Sequence, residues 1–131
     1  MEIYIGGRPE IRALRRRDAQ LKKRIWTDKK SYLVIARKDA GIAAFAFVFR
    51  RKTEARWEDF INVIEVTDPA DRNQGLGSAL VAKVIETARA NGSGQVRAYF
   101  DNGNAASRTL WLKNGFALLP EGPGAFAVHI I

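Results

Sequence analysis

The stretch Arg72-Asn73-Gln74-Gly75-Leu76-Gly77-Ser78 joins a β-rich apolar run to an amphipathic helical one, and no other part of the chain constrains the fold as strongly. Upstream, Ile61 to Thr67 is rich in β-branched residues and stops at Asp68-Pro69, where proline removes a ladder donor and fixes φ. Downstream, Leu76, Ala79, Leu80, Val84 and Ala88 recur at helical spacing until Asn91-Gly92 supplies a stop. A helix start leaves backbone N–H groups unpaired, and glycine lets an anion come close to them. The spacing predicts a loop that cradles a phosphate or pyrophosphate.

Two nucleotide readings can be tested against this loop. A Walker loop needs Gly-Lys-Ser/Thr, and Gly77-Ser78-Ala79 has no such lysine. A dinucleotide fingerprint places its first glycine close to the strand and a small residue third. Here Asp68 to Gln74 intervene and the third position is Leu80, although Asp101 after the strand-like Val96–Phe100 imitates the ribose-binding acid. That reading is weakened without being removed.

A second motif, Asn104-Ala105-Ala106-Ser107-Arg108-Thr109-Leu110-Trp111-Leu112-Lys113-Asn114-Gly115-Phe116, lies one helix and one strand further on. Together the two resemble the GNAT family of N-acetyltransferases. Arg72-x-x-Gly75-x-Gly77 fits that family's Gln/Arg-x-x-Gly-x-Gly/Ala loop, and Asp68-Pro69 stands where the family often has His/Asp-Pro. Asn104, a small residue at 107, Leu110 followed by an aromatic, and Gly115-Phe116 fit its downstream pattern. The specific match covers residues 60 to 119, and the first third agrees only in its order of elements.

Composition bounds the rest. A chain of 131 residues with 47% hydrophobic content is expected to form one domain over residues 1–131 with a real core. The longest apolar run, Gly41 to Phe49, is too short to span a bilayer, and no signal-peptide pattern opens the chain, so a cytoplasmic protein without membrane contact is expected. Zero cysteines exclude disulfides, thiolate metal sites and a cysteine acyl-enzyme, and the lone His129 makes no histidine cluster, so no metal is expected. His129 reads as a structural histidine on the last strand.

The charge is uneven. Residues 8–30 carry ten lysines and arginines against three carboxylates, a net +7 of the chain's +8. Pro9 at a first helical position, with Ile11, Leu14, Leu21 and Ile25 at helical spacing, predicts a helix or a broken helix pair from Pro9 to Trp26. Its basic outer faces are either a solvated surface or a contact for an acidic acceptor, nucleic acid or the ribosome. A homodimer is also open.

The order of elements is strand (Met1–Ile5), helical segment, a hairpin of Ser31–Arg37 and Ile42–Arg51 around Asp39-Ala40-Gly41, the Ile61 strand, the Gly75 helix, the Val96 strand, the Asn104 helix and a final pair, Phe116–Leu119 and Ala125–Ile131. This alternation implies an α/β layered domain with a mixed sheet. The resemblance sharpens it to a GNAT-like, mostly antiparallel sheet flanked by helices, with two central parallel strands, those of Ile61 and Val96, splayed around the pantetheine arm. Phe45, Phe47 and Phe49 alternate on one face and read as core. Trp26, Trp57 and Phe60 read as core margin or acceptor cleft.

The activity implied by the resemblance is direct acetyl transfer from acetyl-CoA to an amine of unidentified type. Backbone N–H groups across Gln74, Gly75, Leu76, Gly77 and Ser78 are assigned to the pyrophosphate, with Asn73 in the loop and Arg72 as cationic support. Backbone around Glu65, Val66 and Thr67 lies beside the thioester in the family. Asn104 corresponds to an asparagine that contacts the cofactor arm, and equally reads as a helix N-cap. Glu65 is the candidate base, on the expectation that its strand desolvates it; Asp59, Asn62 through a water, and Asp101 stay open.

Trp111 departs from the family, which usually has a tyrosine there as proton donor to coenzyme A. Indole donates a hydrogen bond but does not shuttle a proton. Ser107, one turn earlier, is the candidate holder of a proton-relaying water; unaided departure of the thiolate, and Trp111 as plain core, are the alternatives. Two further functions stay open: a catalytically weak module of this fold that binds acyl-CoA or nucleic acid, and an acetylating toxin acting on aminoacyl-tRNA.

Overall fold

Apolar runs punctuated by Gly, Asp and Pro become seven strands of one sheet in the computed structural model, which describes residues 1–39 and 41–131. The strands are β1 (Glu2–Gly6), β2 (Ser31–Lys38), β3 (Gly41–Lys52), β4 (Trp57–Val66), β5 (Gln95–Asp101), β6 (Ala117–Glu121) and β7 (Gly124–Ile130). Their spatial order is β1-β2-β3-β4-β5-β7-β6, and every junction is antiparallel except β4–β5. The expected hairpin pairs β2 with β3, while Ala40 of its turn lies outside the described residues.

Helices cover both faces. On one, α1 (Arg8–Arg17) and a short 3-10 helix (Ala19–Lys23) bury Ile11, Leu14 and Leu21 against Leu33, Phe45, Phe47 and Val63. The helical segment is thus broken at Asp18, whose backbone is extended and whose carboxylate accepts from the Gln20 N–H at 2.9 Å to cap the second turn. On the other face, α2 (Leu76–Ala90) and α3 (Ala105–Lys113) pack Leu80, Val84 and Trp111 over Val48, Ile61, Val96 and Ala127.

The parallel junction is short. β4 and β5 pair only from Glu58↔Gln95 to Ile61↔Ala98, and beyond that the strands separate. A bulge explains where. Opposite β3, Phe47 pairs with Val63 and Val48 with Ile61, leaving Asn62 as the extra residue immediately after the last parallel pair. Such an insertion bends and twists a strand. The Asn62 Nδ2 donates to the Arg24 carbonyl at 2.8 Å, which fixes the bend to the basic segment.

The paired end of this V is clamped by two consecutive buried acids. Glu58 accepts from Arg51 Nε (2.5 Å), Gln95 Nε2 (2.7 Å) and Arg97 Nη2 (3.0 Å). Asp59 accepts from Tyr32 Oη (2.5 Å), Ser93 Oγ (2.5 Å) and Arg50 Nε (3.3 Å). Burial, with the bond to Asp59, pushes the Tyr32 phenol well above its ordinary value, so it stays protonated as the donor. β4 therefore starts at Trp57, four residues before the sequence pattern suggests.

Candidate active site

The separation of β4 from β5 opens a cleft of about 510 Å³ between the end of β4 and the helices α2 and α3. Ile64 and Val66 face the α2 side while Glu65, opposite Phe45, lies on the other, yet all three line the cleft because it follows the open edge of β4. Past Ile61, the backbone groups of β4 that face β5 have no ladder partner there. They are available to a ligand.

The head of the cleft is the start of α2. Asp68 caps the Pro69–Asp71 turn by accepting from the Ala70 N–H at 2.9 Å, and the chain then turns through positive φ at Asn73 (63°) and Gly75 (78°). Gly75 is the N-cap and no side chain caps the helix, so the N–H groups of its first turn face the cleft without a side-chain acceptor. A Cβ at Gly75 would meet nothing within 4 Å, so the left-handed backbone is what calls for glycine here. Gly77 differs: a Cβ there would sit 3.1 Å from Leu110 Cδ1, so its missing side chain lets α3 approach α2.

The loop residues expected around the phosphate divide accordingly. Arg72, Asn73, Gly75, Leu76, Gly77 and Ser78 line the cleft, and Arg72 has no ion-pair partner among the described residues. Gln74 does not line it; its amide donates back to the Ala70 carbonyl at 3.2 Å. Thr67 also lies off the cleft; its hydroxyl donates to the Ile42 carbonyl at 2.6 Å and ties the end of β4 to the start of β3.

On the far wall Asn104 fills the N-cap position expected of it. It lines the cleft and caps α3, accepting from the Ser107 N–H at 3.0 Å. Ser107 is on the wall as well. Trp111 is not: it is 2% exposed, packs on Phe116 at 5.0 Å between ring centroids, and its Nε1 has no hydrogen-bond partner among the described residues. The expectation of Trp111 at the reacting atoms is corrected to a core aromatic. Glu65 is exposed rather than sequestered, so the desolvation argued for it as a base is absent.

The other base candidates are placed differently again. Asp59 is spent in the clamp, Asn62 holds Arg24, and Asp101 is exposed at the end of β5. Two residues of the second motif had no role assigned from sequence. Lys113 lines the cleft, and Asn114 donates to Ser78 Oγ (3.1 Å) and the Leu110 carbonyl (2.8 Å), tying the end of α3 to the start of α2. Their signal in the sequence was that of an ordinary helix end: a last-turn cation and an Asn-Gly stop.

A model of the acetyltransferase (GNAT) family matches residues 2–116. No curated protein matches the sequence. Among solved structures, the ribosomal-protein-alanine N-acetyltransferase of Brucella melitensis superposes with a TM-score of 0.76 at 19% identity, covering 100% of both chains. A Bacillus subtilis acetyltransferase in complex with CoA gives 0.75 at 15%, covering 99% of this chain and 98% of that one. A GNAT-family protein from Desulfovibrio desulfuricans gives 0.73 at 18%, covering 98% and 99%.

Proposed function

The chain belongs to the GNAT acetyltransferase family, and from that premise we propose that it moves an acetyl group from acetyl-CoA to an amine within a ternary complex. The observation that carries this reading is the uncapped start of α2 at the head of a cleft whose other wall is the unpaired edge of β4. An uncapped helix start suits a pyrophosphate, since its N–H groups and the helix dipole favour negative charge. Arg72 and Lys113 add cationic support on the two sides of the cleft.

Coenzyme A supplies the activated thioester, and the residues divide the remaining work. The N–H groups of Leu76, Gly77 and Ser78 hold the diphosphate, and Asn104 and Ser107 border the arm. The backbone N–H of Val66, which points to the open β5 side because that of Thr67 is bonded to the Ala43 carbonyl of β3, stabilises the carbonyl oxygen as the amine nitrogen adds to the acetyl carbon. Glu65, exposed at the mouth of the gap, accepts the amine proton as the C–N bond forms and the C–S bond breaks. The departing thiolate needs little help, because a thiol of pKa about 8.5 is a tolerable leaving group.

One observation favours a second reading, an acyl-CoA-binding module with slow transfer. None of the chain's three tyrosines lines the cleft, and the aromatic of the second motif is buried, so no phenol stands ready to protonate the sulfur. Calorimetry with acetyl-CoA and single-turnover transfer to a panel of amines, followed by mass spectrometry, separates the two. Tight binding with transfer to at least one amine supports the enzyme; tight binding with no transfer to any supports the module. No binding, or wild-type binding by a folded Gly75→Glu variant, overturns the cleft assignment.

A further inference from the structure

We infer that the surface of α1 and the 3-10 helix is a docking face for a nucleic-acid backbone, set beside the cleft. Of the ten cations in residues 8–30, nine are exposed, and none forms an ion pair among the described residues. Two of the three acids in that segment are already engaged. Asp18 caps the 3-10 turn, and Asp28 accepts from Trp26 Nε1 and the Lys30 N–H, both at 2.7 Å. A solubilising surface needs no such imbalance, and mixed signs serve that purpose better.

The chemistry of the face selects the partner class. Every large exposed apolar side chain of the described residues lies outside residues 8–30, because Ile11, Leu14, Leu21 and Ile25 all point into the core. A protein partner would require an apolar centre within the contact, and this face has none. A uniformly charged phosphodiester backbone needs only cations. Arg8, Arg12 and Arg16 follow one another at four-residue intervals, a rise of about 6 Å per step along α1.

Its position gives the face a use. Arg24 is held to β4 through the Asn62 bond, three residues before Glu65. Arg17 lines a recess of about 490 Å³ with Thr67 and Asp68, and Asp71 is common to that recess and the main cleft. A strand bound along α1 would end beside the mouth of the gap. The inference goes beyond acetyl transfer and is read without it.

The test is fluorescence anisotropy of a short labelled single-stranded RNA, and of DNA of the same sequence, titrated with the full chain across a salt series. Both strands should bind, since guanidinium–phosphate contacts read neither sugar nor base. In Arg8→Gln/Arg12→Gln/Arg16→Gln the plot of log affinity against log salt should be shallower by roughly 2, at about 0.7 per lost contact. Lysine at the same three positions should restore most of the slope. Acetyl-CoA affinity by calorimetry should be unchanged in both variants, which separates failure here from failure of the cleft reading.

Lys22→Gln/Lys23→Gln/Arg24→Gln serves as an independent variant on the same face. No binding by wild type at low salt, or wild-type slopes in both glutamine variants, overturns the inference. Stronger binding of poly-glutamate than of RNA overturns it in favour of an acidic protein partner.

Discussion

Removing the Glu58 carboxylate should weaken the paired end of the β4–β5 V far more than a surface ion pair would suggest. Its side chain is 0% exposed, and Arg51, Gln95 and Arg97 all donate to it. Deleting one member of a buried pair costs about 3–5 kcal/mol. Arg51 and Arg97 retain 43% and 23% exposure, so both guanidiniums regain water and Glu58→Ala belongs at the low end, about 3 kcal/mol. With an unfolding entropy near 2.1 cal/mol/K per residue, a chain of this length should lose about 10 °C in Tm. Glu58→Gln keeps the shape and loses the charge, and should fall by about half as much.

The pH dependence supplies the sharper check. Burial alone raises this carboxyl, but hydrogen bonds from Arg51 and Gln95 and the charges of Arg97 and Arg51 outweigh it and hold the folded-state value below the ordinary one. The contribution is therefore complete above the unfolded value of about 4.3 and is lost as pH falls through the folded one. Thermal unfolding by circular dichroism from neutral pH into acid should show the gap between wild type and Glu58→Gln narrowing below pH about 4. A gap that stays constant or widens in acid, or an alanine variant within about 2 °C of wild type, refutes the clamp.

Other outcomes follow from the cleft. Gly75→Ala should lose about 1–2 kcal/mol from the left-handed backbone alone, and Gly75→Asn less; calorimetry should show weaker acetyl-CoA binding in both, because the new side chain stands at the proposed phosphate cradle. Gly77→Ala should destabilise by pressing on Leu110, and Leu110→Ala should relieve that press, so a double-mutant cycle in urea should show non-additivity; simple addition refutes the packing role. Trp111→Tyr should lower Tm with no gain in single-turnover transfer, since the smaller ring leaves a void in a site 2% exposed; faster transfer would place Trp111 at the reaction after all.

Much of this arrangement was legible because it is local. The positive φ at Gly75, the cap at Asn104 and the break at Asn91-Gly92 are decided by a few neighbouring residues, and helical or alternating spacing marked most strands and all three helices. The start of β4 was not. Asp59 stood open only as a base and Glu58 had no role, and what makes the two tolerable inside a sheet comes from Tyr32, Arg50, Arg51, Ser93, Gln95 and Arg97, most of them distant in sequence. Trp111 failed for another reason. Ser107 and Trp111 share a helix face, but that face runs from the cleft wall straight into the core, and spacing does not say where the boundary falls.

The splay is where local and distant causes meet. The last parallel pair is Ile61↔Ala98, and the next residue of β4, Asn62, is the bulge. Four and three residues before it, Glu58 and Asp59 fasten β4 to β5 and to the loop after α2; at the bulge itself, the Asn62 amide holds the strand toward Arg24 on the α1 side. The strands are thus pinned together and pulled apart within five residues. A gap made by flexibility would close in the absence of ligand, because the freed backbone groups of β4 would find those of β5 again. A gap held by a bulge and two anchors stays open and keeps its backbone donors for an incoming thioester. Asn62→Ala, which removes the outer anchor and nothing that lines the cleft, should therefore leave the paired end intact while increasing amide exchange along Asn62–Val66. Unchanged exchange there would mean that the bulge alone sets the opening.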